Sequence, residues 1–244
     1  MRPLSAAQLL DAWEQGLSEP ACRRALPLLA AASQDNSTES VATLSIGERD
    51  RWLLILREWT FGPQLASVAS CSECSEQLEW TVNTSDLCTT KRAELPGELS
   101  LELDHYCVTF RVPNSLDLAA VADCTEAETA RCSLLERCIV AANLEGQEIA
   151  SSDLPEPVVK ALINRLGDAD PQADMQVELE CPVCGHSWRA LFDIESFFWS
   201  EINAWAQRIL LEVHTLARAY GWREKDILNL SPWRRHFYLG LVGG

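Results

Sequence analysis

The chain has 244 residues, and its 47% hydrophobic content supports a buried core and excludes a mainly disordered protein. Its 36 acidic and 20 basic residues give a formal charge of −16, which repels phosphate backbones, so nucleic-acid binding would need a local basic patch. At roughly 150 residues per domain, we expect one large domain or two small ones.

The sequence contains neither a membrane segment nor a convincing export signal. No run approaches the ~18 consecutive apolar residues of a membrane-spanning helix, and the first residues contain no apolar signal core. Arg23 and Arg24 precede a short apolar run that Pro27 interrupts, which favours a buried helix over a twin-arginine export signal. We therefore expect a cytoplasmic protein with reduced thiols.

The first sixty residues predict helices. Apolar residues at helical spacing form one face of the first helix: Leu9, Leu10, Trp13 and Leu17. Pro20 can open a second, short helix. Ser45 and Glu48 form a capping box before a further helix, which Gly62 ends.

The middle of the chain predicts strands and helices together. Apolar residues alternate with polar ones around 78–82, 108–112 and 175–179, a pattern typical of half-buried strands. A capping box of Thr125 and Glu128 opens a helix that we expect to continue to residues 143–146. A second helix begins near residue 155 and ends at 167.

The C-terminal quarter predicts the longest helix. Its apolar residues step by three or four over six turns, and Gly221 ends it: Phe198, Ile202, Trp205, Ile209, Val213, Leu216 and Tyr220. A short helix over 223–228 follows. Ser231 then caps a last helix that has Pro232 at its first position.

Two CxxC pairs carry the strongest chemical signal. Cys71 and Cys74 form the first pair, and Cys181 and Cys184 form the second, 106 residues later. Thiolates at i and i+3 of a tight turn converge on one side of a tetrahedral ion, so each pair supplies half of a structural zinc site. Gly185 allows a left-handed turn in which backbone amides point at sulfur. We predict one structural zinc bound by all four cysteines.

Other interpretations of the cysteines and histidines are weaker. A redox dithiol lacks a surrounding thioredoxin-like pattern, and four cysteine ligands leave no open position for catalytic zinc. His186 fits a supporting or exposed role better than a ligand position. His105 fits a hairpin turn. The remaining six cysteines have no ligand spacing and are candidates for core or exposed thiols: Cys22, Cys88, Cys107, Cys124, Cys132 and Cys138. We find no active-site motif and predict that the protein is not an enzyme.

Charge is distributed unevenly along the chain. Residues 203–244 carry six basic and three acidic residues, whereas the first 202 residues carry a net charge of −19. An ordinary solvated face with core tryptophans is one interpretation. The other is a partner-binding surface rich in Trp and Arg, whose candidates are Trp222, Arg223, Trp233, Arg234 and Arg235.

Three segments carry a resemblance to a known family. They are LSIGERDRWLLILREWTFGPQLASVASCSECSEQLEW (44–80), DPQADMQVELECPVCGHSWRALFDIESFFWSEI (170–202) and EVHTLARAYGWREKDILNLSPWRRHFYLGLV (212–242). Together they resemble the baseplate hub assembly chaperone family of T-even-type phages, found also in phage-derived contractile injection systems. The resemblance implies a non-enzymatic role and hub, spike or wedge proteins of a contractile tail as partners. The cysteine pairs resemble those of zinc-bearing members.

These observations predict an α+β fold with helical ends around a split zinc ribbon. We expect a helical segment over 1–62, the ribbon over 63–84 and 172–193, a small mixed insertion over 85–171 and a helical segment over 194–244. The expected function is that of an assembly factor or minor component of a baseplate or hub, free in the cytoplasm or bound to the particle. The alternative is a zinc-ribbon regulator that binds nucleic acid through its C-terminal helices, which the weak local charge disfavours.

Overall fold

The computed structural model describes residues 1–34, 37–89 and 97–242. These residues form helices and small antiparallel sheets, so the predicted α+β class is confirmed. None of the helices within the described ranges is long and apolar enough to cross a membrane.

The helices and strands follow in chain order. The helices are α1 (Ala6–Leu17), α2 (Leu26–Ala32), α3 (Thr38–Ala42), α4 (Ile46–Phe61), α5 (Thr84–Leu87), α6 (Ser115–Val121), α7 (Ala127–Cys138), α8 (Glu156–Ala169), α9 (Ile194–Tyr220), α10 (Glu224–Leu228) and α11 (Pro232–Val242). The strands are β1 (Gln64–Ser70), β2 (Gln77–Asn83), β3 (Leu99–Leu103), β4 (Tyr106–Phe110), β5 (Ile139–Leu144), β6 (Gln147–Glu148), β7 (Gln176–Glu180) and β8 (Ser187–Leu191). Short 3₁₀ turns lie at Ala21–Arg23, Ser151–Asp153 and Pro171–Ala173.

The chain divides into two compact units. Unit 1 combines Met1–Thr38 with Glu195–Gly244, and unit 2 is Glu39–Ile194. Unit 1 is therefore built from both ends of the sequence, whereas unit 2 is continuous. The four-part division expected from the sequence is finer than this one and stays a prediction.

Unit 1 is helical. Ser5 caps α1 through its hydroxyl, which accepts a hydrogen bond from the Gln8 N–H, while the Gln8 side chain accepts one from the Ser5 N–H. Leu9, Leu10 and Trp13 are buried, as the spacing predicts, but Leu17 lies at the fraying end of the helix and is exposed.

Helix α9 supplies the long apolar face of unit 1. Its buried residues recur every three or four positions: Phe198, Ile202, Ala206, Ile209, Val213 and Leu216. The helix ends where Gly221 adopts a positive φ of 67° and donates its N–H to the Ala217 carbonyl. The predicted end is confirmed, and so is the predicted face except that Trp205 is only half-buried and Tyr220 is exposed.

A four-stranded antiparallel sheet in the order β3-β4-β5-β6 forms the centre of unit 2. Helix α8 buries its apolar face against the sheet, and the joint core comprises Val108, Phe110, Ala142, Leu154, Val158 and Leu162. His105 lies in the β3–β4 turn with a positive φ, as expected.

One predicted helix is wrong in its second half. Residues 139–144 were expected to be helical, but they form β5, which pairs with β4. Helix α7 ends at Cys138 because the β-branched pair Ile139 and Val140 favours a strand, and pairing with β4 satisfies the backbone groups of both strands. The predicted capping box is also wrong, because α7 begins after Glu126 without a side-chain cap.

The two CxxC pairs lie in the turns of two β-hairpins. Strands β1 and β2 pair from Gln64–Asn83 to Ser70–Gln77, and β7 and β8 pair from Gln176–Leu191 to Glu180–Ser187. The alternation around 78–82 and 175–179 predicted β2 and β7, whereas the sequence did not indicate β1. Each hairpin is a separate two-stranded sheet.

Candidate metal centre

The first hairpin turn folds back on itself through two backbone hydrogen bonds. The Cys71 N–H donates to the Glu76 carbonyl at 2.8 Å, and the Ser75 N–H donates to the Cys71 carbonyl at 2.9 Å. Ser75 adopts the left-handed conformation with a φ of 61°. This tight turn places the sulfurs of Cys71 and Cys74 on one side of the hairpin.

The second turn contains the same two backbone hydrogen bonds as the first. The Cys181 N–H donates to the His186 carbonyl at 2.8 Å, and the Gly185 N–H donates to the Cys181 carbonyl at 2.9 Å. Gly185 occupies the position equivalent to Ser75 and also has a positive φ, 72°. The backbone requirement is the same in both turns, although only one of them uses glycine.

The structure brings the four predicted cysteines together. The sulfur of Cys71 lies 3.6 Å from that of Cys184, and the sulfur of Cys74 lies 3.5 Å from that of Cys181. All four sulfurs lie within 4.8 Å of one another. Zn–S bonds of about 2.3 Å in a tetrahedron put the sulfurs about 3.8 Å apart. The donor set and its spacing therefore fit a zinc ion.

Hydrogen bonds from backbone amides and between the sulfurs shift the pKa values of the clustered cysteines. Amide N–H groups of Cys184 and Val183 donate to the Cys181 sulfur and lower its pKa to about 7. The Glu76 N–H likewise favours the Cys74 thiolate, but hydrogen bonds with the sulfurs of Cys181 and Cys184 outweigh it and raise the Cys74 pKa to about 12. Deprotonation of all four thiols would place four negative charges close together, and a divalent cation is the group that relieves this repulsion.

The cluster is half-buried. Cys71 and Cys181, the first cysteine of each pair, are buried, whereas Cys74 and Cys184 are exposed. Four cysteine ligands complete a tetrahedral sphere, which leaves no position for a substrate. Within the described part of the chain, no other group of three or more Cys, His, Asp or Glu side chains is close enough to hold a metal.

Contacts beyond the sulfurs also join the hairpins. His186 Nε2 lies 3.2 Å from the Ser72 hydroxyl of the opposite turn, and the His186 ring stacks on Trp188. The Trp80 ring packs edge-on against Phe192 with ring centroids 5.9 Å apart. His186 is therefore outside the four-sulfur set and supports it from the side, the role that the sequence favoured.

A buried glutamine ties the bases of the two hairpins together. Gln172, just before β7, donates to the Leu87 carbonyl at 3.0 Å and accepts from the Thr89 N–H at 2.7 Å. Leu87 and Thr89 follow β2, so this one side chain joins the exit of the first hairpin to the entrance of the second. Nothing in the sequence pattern marks Gln172, because its partners are more than 80 residues away.

The other six cysteines do not join the cluster, and none of the ten cysteines, all of which lie within the described ranges, forms a disulfide. Cys138 is buried beside the sheet, as expected, and burial raises its pKa to about 11. Cys124 and Cys132 are exposed.

Helix α4 contains a buried ion pair, Arg49 and Asp50, that the sequence did not predict. The Arg49 side chain donates to Asp50 at 2.8 Å, and its far end lies 3.4 Å from the Ser115 hydroxyl. Burial, opposed by Arg49, raises the Asp50 pKa to about 6. The pair links α4 to α6, which is a structural role within unit 2.

The candidate partner-binding residues separate into two groups. Trp233, Arg223 and Arg234 are exposed, with 73% of Trp233 accessible, and Trp222 is half-buried against Tyr220. These four remain available to a partner.

Arg235 does not belong with them. It is buried, and it donates to the Glu212 carboxylate at 3.0 Å and to the Leu230 carbonyl at 2.7 Å. Its charge is neutralised inside unit 1 because α11 packs its Arg235 side against α9. The prediction that Arg235 faces a partner is therefore wrong.

Comparison with known families identifies the chain. The family model described as T4 bacteriophage base plate protein matches residues 27–199. This range includes all of unit 2 and all four clustered cysteines. The chain belongs to this family. The baseplate part of the resemblance seen in the sequence is thus confirmed, whereas the match does not single out assembly chaperones. No curated protein and no solved structure matches this baseplate protein.

Proposed function

We propose that this baseplate protein is a non-enzymatic assembly factor or minor component of a contractile tail. It acts by binding other baseplate proteins, such as hub, spike or wedge subunits, either transiently or within the particle. The family match over residues 27–199 carries this proposal. The acidic body and the helical C-terminal segment are compatible with association as the mechanism.

A structural zinc ion at the four cysteines is part of the proposal. Cys71, Cys74, Cys181 and Cys184 come from segments that are far apart in sequence, so one ion would close the loop between the two hairpins. The zinc would cross-link unit 2 rather than react, since four thiolates fill its coordination sphere. The same closed set supports the absence of a metal-dependent activity.

Nucleic-acid binding is not proposed. That alternative uses the basic residues of the C-terminal helices, and one of them, Arg235, is buried and pairs with the Glu212 carboxylate. The net charge of +3 over residues 203–244 is small beside the −19 of the first 202 residues, and exposed aromatic residues suit a protein surface better than a phosphate backbone.

Pairwise co-expression tests the proposed function. The tagged chain is co-expressed with each other baseplate protein of its own tail, one at a time, and the complexes are isolated at physiological salt. We expect a stoichiometric complex with at least one of them, detected by size-exclusion chromatography with light scattering. A wild-type chain that folds, binds zinc and forms no complex with any of them contradicts the proposal.

A further inference from the structure

Helix α11 presents a continuous apolar stripe to solvent. Trp233, Phe237 and Leu241 recur every four residues and are 73%, 53% and 61% exposed. The rings of Trp233 and Phe237 stack with centroids 5.7 Å apart and an interplanar angle of 17°. Residues four apart lie above one another on a helix, so the three side chains form one ridge. We call these three residues the α11 stripe.

The opposite side of α11 is fixed to the rest of unit 1. Arg235 binds the Glu212 carboxylate and the Leu230 carbonyl, and the Tyr238 ring packs edge-on against Trp222 at 5.0 Å. Tyr238 also contacts Phe237 of the stripe at 5.9 Å. The helix therefore holds its stripe in place before any partner arrives, which reduces the entropy lost on binding.

Charge distinguishes the possible occupants of the stripe. The chain has 36 acidic residues, but none lies after Asp226. Exposed Arg234 and His236 flank the stripe on its two sides. A symmetric contact between two copies of the stripe would bring the Arg234 side chains of the two copies near each other, which disfavours a symmetric dimer. A partner surface that is complementary to the stripe and its flanking residues is an apolar groove with carboxylates along its rim.

We propose that α11 docks as an amphipathic helix into an apolar groove with an acidic rim on another baseplate protein. The inference rests on the proposed function and identifies the surface and the kind of partner. Trp233 and Phe237 fill the groove, and Arg234 pairs with a rim carboxylate. Helix α11 lies beyond residue 199, where the family match ends, so this contact belongs to a part of the chain outside the matched region.

Matched alanine variants test the stripe. The probe is the baseplate protein recovered in the pairwise co-expression, and the measurement is its dissociation constant by calorimetry. Trp233→Ala should weaken binding at least about 30-fold, as expected of a hot-spot residue. Trp59→Ala is its control, because Trp59 is also exposed but lies in α4. Leu241→Ala should weaken binding about 5-fold or more, and Leu211→Ala is a closely matched control at 66% exposure.

Charge reversal tests the acidic rim separately. Arg234→Glu should weaken binding about tenfold at low salt, mainly by slowing association, and the difference should shrink as salt rises. All stripe residues are exposed, so the variants should keep the wild-type thermal midpoint, which confirms that they fold.

Three results would overturn the inference. If the wild type binds a baseplate protein and the stripe variants bind it equally well, the proposed function stands and the α11 contact is wrong. A wild-type dimer that Trp233→Ala dissociates identifies a second copy as the occupant instead. If the wild type binds none of the baseplate proteins, the proposed function fails and the inference fails with it.

Discussion

Unit 2 contains two kinds of β-structure that are stabilised in different ways. The four-stranded sheet buries Val108 and Phe110 completely against α8. The hairpins also bury side chains, Leu65 and Leu78 in the first and Val177 and Leu179 in the second, but each hairpin has only two strands. Two-stranded hairpins are marginally stable in water at best. We therefore expect apolar packing against α8 to stabilise the sheet, and we expect the hairpins to depend in addition on contacts between their turns.

The contacts between the turns centre on sulfur. The four cysteines lie at the point where the hairpins meet, and the Ser72–His186 and Trp80–Phe192 contacts flank them. A zinc ion here would supply the stabilisation that burial does not, because metal binding and folding are coupled in small zinc sites. Substitutions in the cysteine cluster and in the sheet separate these two sources of stability.

The largest effect is expected when the cysteine cluster loses one ligand. Cys181→Ser should reduce bound zinc from about one ion per chain to nearly none, because three thiolates no longer close the tetrahedral sphere. The binding free energy of structural zinc is about 10–16 kcal/mol in zinc-finger peptides and is coupled to folding, so the hairpins should lose their order. Elemental analysis measures the zinc, and amide hydrogen exchange measures order in the hairpins.

Cys124→Ser is the control for this experiment, since Cys124 is an exposed thiol outside the cluster. It should keep both the zinc and the hairpin protection. Wild-type protein purified without chelators that contains no zinc would show that the cluster is not a zinc site.

A smaller effect is expected in the sheet. Phe110→Ala removes a fully buried ring from the core and should lower the free energy of unfolding by about 3–5 kcal/mol, measured by urea denaturation. The zinc content of the folded variant should stay at the wild-type level, because the sheet does not hold the ion. Val140→Ala changes a half-exposed residue of the same sheet and should shift stability by less than about 0.5 kcal/mol. Zinc loss in folded Phe110→Ala would show that the sheet and hairpins are not independent.

The smallest effects are expected from substitutions at the equivalent positions of the two CxxC turns, Ser75 and Gly185. Gly185→Ala should lower the free energy of unfolding by about 1–2 kcal/mol, because the left-handed φ of 72° is unfavourable for a residue with a Cβ. No atom lies within 4 Å of the added Cβ, so the cost is conformational rather than steric. Ser75→Gly, at the equivalent position with a φ of 61°, should instead be neutral or stabilising by up to about 1 kcal/mol. Equal effects of both changes on the thermal midpoint would contradict the equivalence of the turns.

Much of this architecture could be predicted because its causes are local. The three-to-four-residue spacing along α9 predicted both the buried face and its end at Gly221. The CxxC spacing predicted that the two distant pairs converge, because a structural zinc needs four ligands and each pair supplies two. Capping was predicted less well. The Glu48 N–H does donate to the Ser45 hydroxyl, whereas α7 starts without the expected Thr125 cap.

Other features could not be predicted because their partners are distant in sequence. Residues 139–144 continue an apolar pattern that suits either a helix or a strand, and only pairing with β4 selects the strand. Gln172 resembles any surface glutamine until Leu87 and Thr89 are placed beside it.

The sequence by itself determined the longer helices apart from the end of α7, the turn chemistry and the four candidate zinc ligands, because each depends on residues a few positions apart. The tertiary structure alone decided which C-terminal side chains are exposed. Arg234 and Arg235 are neighbours of the same type, yet only Arg235 meets Glu212 and is buried. Trp233 stays exposed because it lies on the opposite side of α11. Exposure depends on how whole helices pack, and residue type alone does not specify that packing.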